Sequence, residues 1–198
     1  MSGRAVFLDR DGTINREVSF LSGPEKLELE AGAVEGLKAL EAAGFELIVV
    51  SNQSGVARGY FDEEAVARVN GALSDMLRAQ GVRITRFYFC PHHPDGVVAK
   101  YRRECDCRKP APGLLVRAAV DADIDLGASY SVGDSARDLA AGRSAGTRTV
   151  LVLTGYGPDE LEEVEAKGLA DYVADDLSAA AEWIVKDAEE RGDRGVEG

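Results

Sequence analysis

Two aspartates separated by one residue, Asp9 and Asp11, follow a short apolar run and precede Gly12 and Thr13. If the run is a strand, both carboxylates reach the crevice beyond its carboxyl end, and the glycine permits a sharp turn there. Like charges this close are costly unless a cation lies between them. A solvated Asp-Gly turn explains the same residues about equally well, so this pair alone does not define a site.

Three further segments place polar side chains beside predicted element ends: Ser51 and Asn52 after the second apolar run, Lys109 before a helix near residue 112, and Asp134 with Asp138 after the fourth run. Each has an ordinary explanation by itself, as a turn, a surface lysine or a helix N-cap. Together, the acids, the hydroxyl and the lysine at four such positions favour one shared site.

This combination of groups predicts phosphoryl transfer. Mg²⁺ prefers carboxylates together with substrate phosphate and water. A lysine and a hydroxyl supply charge and a donor for phosphate oxygens, and Thr13 adds a second hydroxyl and a backbone N–H. One aspartate can attack phosphorus and form an aspartyl-phosphate, while a second acid protonates the leaving alcohol and later activates water.

The ordered segments resemble the four motifs of the haloacid dehalogenase (HAD) phosphatase superfamily, over nearly the whole chain: Asp9-x-Asp11-Gly12-Thr13, Ser51, Lys109 and Gly133-Asp134-x-x-x-Asp138. The resemblance implies that Asp9 is the nucleophile and Asp11 the general acid/base. It also implies that Ser51 and Lys109 bind the phosphoryl group. Mg²⁺ would be held by Asp9, Asp134 and the backbone carbonyl of Asp11, while Asp138 would orient Lys109 or a metal-bound water.

All three cysteines and both histidines lie within residues 90–107, inside an aperiodic stretch, 90–109. Cys90-x-His92 and Cys105-x-Cys107 form a Cys₃His set typical of tetrahedral structural zinc. His93 is also available, but a Cys-x-His spacing that mirrors Cys-x-Cys favours His92. Ordinary buried thiols are the alternative, and disulfides are disfavoured because the cysteine count is odd. We expect zinc to order this loop and to fix the position of the lysine that follows it.

The cysteine loop narrows the resemblance to the D,D-heptose 1,7-bisphosphate phosphatases and the related histidinol-phosphate phosphatases, which lack a large cap domain. Residues 52–60, Asn-Gln-Ser-Gly-Val-Ala-Arg-Gly-Tyr, are similar to the corresponding segment of the heptose enzymes. By position, Asn52, Arg58 and Arg108 would face the sugar and the distal phosphate. Ser135 departs from the pattern, since the heptose enzymes often carry lysine there, and the departure removes one candidate phosphate contact.

The resemblance implies Mg²⁺-dependent removal of the 7-phosphate from D-glycero-D-manno-heptose 1,7-bisphosphate. Histidinol phosphate is the alternative substrate, because acids such as Glu17, Glu104 and Asp106 would suit its amine and imidazole. A cluster of basic residues favours the second phosphate of a bisphosphate: Arg58, Lys100, Arg102, Arg103 and Arg108. A phosphoacceptor signalling domain is disfavoured, because such a domain places its acceptor aspartate on a middle strand and needs no zinc loop.

Apolar runs alternate with helical patterns along the chain. Strands are expected at Ala5–Leu8, Glu46–Val50, Ile84–Phe89, Tyr130–Val132, Thr149–Leu153 and Tyr172–Val173, and helices near residues 32–43, 62–80, 112–122, 135–145, 158–167 and 177–191. The alternation predicts a Rossmann-like α/β fold, a parallel sheet with helices on both faces. We expect a single domain over residues 1–190 and a flexible tail at 191–198.

Composition and charge argue against several classes of function. No run of about 18 apolar residues predicts a membrane span. The net charge is −12, but residues 158–198 hold 14 acids against 4 bases, so the main body is near neutral and can accept an anion. No basic face predicts nucleic-acid binding. The N-terminus does not resemble a signal peptide, and we expect a cytoplasmic monomer that acts on a small phosphorylated molecule.

Overall fold

The strands form one parallel sheet in the computed structural model, which describes residues 2–194. They are β1 (Ala5–Leu8), β2 (Glu46–Asn52), β3 (Arg86–Cys90), β4 (Tyr130–Gly133), β5 (Arg148–Val152) and β6 (Tyr172–Ala174). Their order across the sheet is β3-β2-β1-β4-β5-β6, and every neighbouring pair is parallel. This is the Rossmann order, in which the strand order reverses between β1 and β4 and leaves a crevice there.

Each predicted helix is present, with its ends within three residues of those expected. The helices are α1 (Ala33–Ala42), α2 (Glu63–Ala79), α3 (Gly113–Ala122), α4 (Ala136–Ala145), α5 (Gly157–Ala166) and α6 (Leu177–Arg194). Helix α6 includes residues 191–194, the first four of the predicted flexible tail. The rest of that tail, 195–198, lies outside the described residues. Two short 3₁₀ helices, Pro24–Lys26 and Leu126–Ala128, were not predicted.

The sheet is covered on both faces because its side chains alternate between them. On β1, Val6 and Leu8 join a cluster with buried residues of α1, α2 and α6. Ala5 and Phe7 of the same strand join a cluster with buried residues of α3 and α4. All four side chains are fully buried. The predicted α/β fold with helices on both faces is therefore confirmed.

Helix α2 shows how local sequence sets an element. Asp62 is its N-cap, and its carboxylate accepts a hydrogen bond from the Ala65 amide at 2.8 Å. Val66, Val69 and Leu73 recur at helical spacing, and all three are buried. The helix therefore begins and faces inward where the pattern predicts, and this fixes the loop that leads from β2 to it.

Two long connections at the carboxyl edge of the sheet contain little regular structure. Between β1 and α1 the chain forms only the 3₁₀ turn Pro24–Lys26, and residues 91–112 between β3 and α3 contain no helix or strand. No large cap domain is therefore inserted in these connections. Within residues 2–194, no helix combines the length and the hydropathy needed to cross a membrane.

Candidate active site

Three carboxylates meet at the crevice between β1 and β4. Asp9 follows β1 and Asp134 follows β4, while Asp138 lies on the first turn of α4. One carboxylate oxygen from each lies within 4.8 Å of the others. A Cβ at Gly12 or Gly155 would come within 2.0 or 2.1 Å of Asp134 Oδ2, and both glycines have positive φ. The close approach of these two turns to Asp134 therefore requires glycine at both positions.

Lys109 connects two of these carboxylates. Its Nζ lies 2.7 Å from Asp9 Oδ1, 2.7 Å from Asp138 Oδ1 and 2.7 Å from the Val50 carbonyl oxygen. The side chain is only 3% exposed. Burial opposes the charge on Lys109, but Asp138 and Asp9 outweigh it and raise the pKa of the ammonium group. Lys109 is therefore a charged donor fixed beside the expected nucleophile.

The acids of the site carry more negative charge than Lys109 can balance. Burial, with the charges of Asp138 and Asp11, raises the pKa of Asp9 to about 6 against the opposing effect of Lys109. Burial, with Asp9 and Asp138, raises the pKa of Asp134 to about 8, although its Oδ2 accepts the Tyr156 N–H at 2.9 Å. Clustered oxygen donors that resist full ionisation fit a hard divalent cation such as Mg²⁺.

Asn52 holds the backbone of Lys109. Its Nδ2 donates to the Lys109 carbonyl oxygen at 3.0 Å, and its Oδ1 accepts the Lys109 N–H at 3.1 Å. The expectation was that Asn52 faces the sugar or distal phosphate. Asn52 does line the cavity, but both ends of its amide are used to position Lys109. The structure therefore supports a positioning function for Asn52 instead.

Asp11 lies in a network of donors that sequence reasoning did not identify. Arg10 Nη2 donates to Asp11 Oδ2 at 2.9 Å, as does Gln53 Nε2 at 2.9 Å, and Asn15 Nδ2 donates to Oδ1 at 2.9 Å. Arg10 is fully buried and also donates to Asn70 Oδ1 at 2.9 Å. An arginine between two aspartates at a buried strand end was the available signal, because a buried guanidinium needs acidic partners.

Ser51 and Thr13, both predicted to bind phosphate, are buried and are not among the residues that line the cavity. Ser51 is 2% exposed, and its Oγ accepts a long hydrogen bond from Gln53 Nε2 at 3.4 Å. Thr13 is 0% exposed, and its hydroxyl has no hydrogen-bond partner within the described residues. Their phosphate-binding roles stay predictions that rest on the motif resemblance.

The carboxylates open into a cavity of about 190 Å³, whose wall also contains Arg108, Glu17 and Tyr156. Arg108 therefore lines the cavity, and its contact with a distal phosphate stays a prediction. Arg58 is not among the lining residues, and its Nη2 contacts His93 Nε2 at 3.1 Å instead. The structure therefore gives no support to Arg58 as a direct substrate contact, because this arginine faces the cysteine loop.

Arg137 is a cavity residue that the sequence did not reveal. Its Nε donates to Ser135 Oγ at 3.1 Å, and Ser135 in turn donates to Asp138 Oδ2 at 2.5 Å. Ser135, which stands where lysine was expected from the resemblance, therefore connects an acid of the site to an arginine. Arg137, two residues after Ser135, gives this wall of the cavity a positive charge.

The four expected zinc ligands lie together in the cysteine loop. Cys107 Sγ lies 3.4 Å from Cys90 Sγ, 3.2 Å from Cys105 Sγ and 3.3 Å from His92 Nδ1. His93 lies outside the cluster, beside Arg58. Tetrahedral zinc with Zn–S bonds of about 2.3 Å separates its sulfur ligands by roughly 3.8 Å, so the cluster needs only a small expansion to hold the ion.

The cysteine loop adjoins the carboxylate site through β3 and through Lys109. Cys90 is the last residue of β3 and pairs in register with Asn52 of β2. The Gln53 N–H donates to the Cys90 carbonyl oxygen at 2.8 Å, and Cys107 lies two residues before Lys109. A displacement of the cysteine loop therefore affects the position of Lys109 by two routes, directly along the chain and through the paired strands β3 and β2.

The sheet order, the paired strand-end acids and the buried lysine together define an HAD-like hydrolase, and a family model described as HAD-hydrolase-like matches residues 106–180. The chain is 40% identical over 182 residues to the D-glycero-beta-D-manno-heptose-1,7-bisphosphate 7-phosphatase of Yersinia pestis, covering 91% of this chain and 89% of that protein. It therefore belongs to the D-glycero-D-manno-heptose-1,7-bisphosphate 7-phosphatase family of HAD-like hydrolases. The expected superfamily and enzyme class, a phosphatase, are confirmed.

Two further relatives agree. The D-glycero-D-manno-heptose-1,7-bisphosphate 7-phosphatase of Thermosynechococcus vestitus is 43% identical over 185 residues, covering 91% of this chain and 94% of that protein. The crystal structure of D,D-heptose 1,7-bisphosphate phosphatase from B. bronchiseptica, complexed with magnesium and phosphate, superposes with a TM-score of 0.82 at 33% identity. That match covers 93% of this chain and 99% of the other.

Proposed function

We propose that this chain removes the 7-phosphate from D-glycero-D-manno-heptose 1,7-bisphosphate through an aspartyl-phosphate on Asp9. The observation that carries the proposal is the geometry of Asp9, whose Oδ1 is held by Lys109 at 2.7 Å. Its Oδ2 has no hydrogen bond among the described residues and is available for attack. Relatives that cover nearly the whole chain carry the name of this activity.

In the first step, Asp9 attacks phosphorus, and the bond between phosphorus and the sugar oxygen breaks as the bond to Asp9 forms. Lys109 stabilises the charge on the phosphoryl oxygens. Asp11 donates a proton to the departing sugar oxygen and then takes one from the water that hydrolyses the aspartyl-phosphate. Asp11 reaches the substrate by turning its carboxylate away from Arg10 and Gln53, which hold it now.

Asp9, Asp134 and the backbone carbonyl of Asp11 would hold Mg²⁺. When bound, the ion offsets the charge of the carboxylates and of the phosphoryl group, so that anion and nucleophile can approach. Asp138 belongs to the same cluster of acids, but its two oxygens are used on Lys109 and Ser135. We therefore assign Asp138 to orienting Lys109 and leave it out of the magnesium ligands.

Cys90, His92, Cys105 and Cys107 would hold a structural Zn²⁺. Burial raises the pKa of Cys90 and Cys107, and a bound cation would reverse that effect and deprotonate the thiols. Binding through His92 Nδ1 requires the ring proton on Nε2, so Arg103 Nη2, now 2.7 Å from Nε2, would rotate away. Four protein ligands leave no open position for water, so this zinc supports the fold and not the reaction.

The cavity wall favours a bisphosphate over histidinol phosphate. Arg108 and Arg137 line it, whereas of the acids considered for an amine and imidazole only Glu17 does; Glu104 and Asp106 do not. Two guanidinium groups suit a second phosphate, and one carboxylate gives a weak site for a cationic substrate. The other parts of the proposal are a monomer, a cytoplasmic location and a small phosphorylated sugar as its ligand.

The test is a comparison of kcat/KM for heptose 1,7-bisphosphate and for histidinol phosphate with the magnesium-loaded enzyme. We expect a preference of about 100-fold or more for the bisphosphate, because its second phosphate can pair with Arg108 and Arg137, whereas histidinol phosphate has no anion to offer them. Repeated release of phosphate over many turnovers is expected too, and a single burst would indicate a phosphoacceptor domain. Equal rates, or a preference for histidinol phosphate, would contradict the proposal.

A further inference from the structure

Arg137 combines a fixed inner end with a free outer end. It is the second residue of α4 and lines the cavity, where its Nε donates to Ser135 Oγ at 3.1 Å. Neither Nη atom has a hydrogen bond or an ion pair within 4.0 Å among residues 2–194. These two NH₂ groups are therefore unused donors on a residue that lines the cavity.

The inner end of Arg137 is connected to the nucleophile by a chain of hydrogen bonds. Ser135 Oγ donates to Asp138 Oδ2 at 2.5 Å, Asp138 Oδ1 accepts from Lys109 Nζ at 2.7 Å, and Lys109 contacts Asp9 at 2.7 Å. Three side chains thus separate Arg137 from Asp9. Arg137 is therefore an exposed residue of the cavity wall that makes no direct hydrogen bond to Asp9.

The other two cations that line this cavity, Lys109 and Arg108, each have at least one fixed contact. Lys109 binds two carboxylates, and Arg108 Nη1 donates to the His92 carbonyl oxygen at 3.4 Å. Arg108 and Arg137 both line the cavity, so positive charge is concentrated on this wall. An anion that enters the cavity would find two uncommitted NH₂ groups on Arg137, beside the remaining donors of Arg108.

We propose that Arg137 binds the phosphate that is not transferred and is a specificity-determining residue for bisphosphate substrates. The inference rests on the proposed function and deepens it, because it assigns a protein group to the phosphate at the far end of the substrate. A guanidinium can donate two parallel N–H bonds to a phosphate, and the contact of Arg137 Nε with Ser135 leaves both Nη groups available.

The experiment compares heptose 1,7-bisphosphate with heptose 7-phosphate, which shares the transferred group and lacks the other phosphate. We expect Arg137→Gln to lower kcat/KM for the bisphosphate by about tenfold, the loss of a solvent-exposed charge-assisted contact. The loss for the 7-phosphate should be about twofold or less. Arg137→Lys should recover part of the difference. Arg117→Gln, an exposed arginine on α3, serves as the matched control.

A second measurement separates this inference from the proposed function. Both heptose phosphates are tested as competitive inhibitors of aryl phosphate hydrolysis, a readout that needs no turnover of the sugar. We expect the bisphosphate to inhibit wild type more strongly, and Arg137→Gln to remove that advantage, even if neither sugar is hydrolysed and the proposed substrate is wrong. Equal losses on both sugars would show that Arg137 acts through Ser135 on Lys109. That result, or no loss on either, would overturn the inference.

Discussion

Asp9 and Asp138 share an ammonium group supplied by the chain itself, whereas the thiols of Cys90, Cys105 and Cys107 contact one another and the ring of His92. Both regions gather side chains that suit a metal ion. The acids stand at the ends of buried strands, which fix them whether or not an ion is present. Cys90 ends β3, but Cys105 and Cys107 lie in the following segment, which has no helix or strand, so their arrangement depends on what they bind.

This difference assigns the reaction to the strand-end acids and a structural function to the cysteine loop. Lys109 is common to both regions, since it contacts Asp9 and lies two residues after Cys107. Its backbone is also held by Asn52, at the end of β2. Loss of a strand-end acid should therefore stop the reaction and leave the loop intact. Loss of a thiol should loosen the loop and impair the reaction only indirectly.

The largest effect is expected from Asp9→Asn. The substitution preserves shape but removes the nucleophile and one magnesium ligand, so kcat should fall by about 1,000-fold or more, towards background. Zinc content and the hydrogen-exchange protection of residues 90–109 should not change, because the cysteine cluster does not contact Asp9. The measurements are steady-state turnover, metal analysis and hydrogen exchange on the same preparation.

Asp11→Asn is the matched control for this variant. It should still transfer the phosphoryl group to Asp9 while slowing protonation of the leaving group and hydrolysis of the intermediate. The phosphorylated residue is identified by peptide mass spectrometry after rapid quenching. Substantial turnover by Asp9→Asn, or a phosphoryl group trapped on Asp11, would reverse the assigned roles.

A smaller effect on turnover is expected from Cys107→Ser. With one zinc ligand lost, residues 90–109 should exchange amide hydrogens faster and the melting temperature should fall. We expect kcat to decrease by about 10- to 100-fold, the usual cost of disturbing the groups that orient a site. Asn52→Ala is the control, since it releases the Lys109 backbone without touching the cysteines, and should lower kcat at unchanged zinc content. A zinc-free protein with full kcat and an unchanged melting temperature would refute the supporting role of zinc.

Local features of this fold can be predicted from the sequence, whereas contacts between distant segments cannot. Asp9, Asp134 and the six strands are predictable because apolar runs and the residues at their ends obey local rules. The contact between Asn52 and Lys109 joins residues 57 apart in the chain, and no local pattern encodes it. The contact between Arg58 and His93 is hard to predict for a related reason, since the path of the turn after β2 decides which side chains Arg58 meets.

Arg137 shows the complementary limit. As an exposed residue on a helix, it is indistinguishable in sequence from arginines such as Arg117, which also lies on an exposed helix face. Only the position of α4 beside the cavity gives it a candidate function. The cysteine loop is different, because cysteine and histidine are characteristic metal ligands. Their types and spacing predict the four side chains that the structure brings together.

The smallest expected effect is a pH-dependent change in stability at the acids. In the unfolded chain these carboxyls titrate near 3.8, whereas folding raises the pKa of Asp9 to about 6 and that of Asp134 to about 8. At pH values above 3.8 and below these raised pKa values, the folded protein retains protons that the unfolded chain has lost. The free energy of unfolding of the magnesium-free protein should therefore fall as pH rises from about 4 to about 8.

Magnesium should offset this loss, because the ion replaces the protons on the two carboxyls. The rise in melting temperature on adding Mg²⁺ should thus be larger at pH 8 than at pH 6, by a few degrees, since about 1 kcal/mol shifts the melting temperature of a protein this size by roughly 2–4 °C. Asp134→Asn should remove most of that pH dependence, while Asp159→Asn, on the exposed face of α5, should leave it intact. If Mg²⁺ raised the melting temperature equally at both pH values, the acids would already be fully ionised without it. The ammonium group of Lys109 would then be sufficient to balance the charge of the carboxylates. In that case the acid site would need no metal for its stability, unlike the arrangement expected for the thiol cluster.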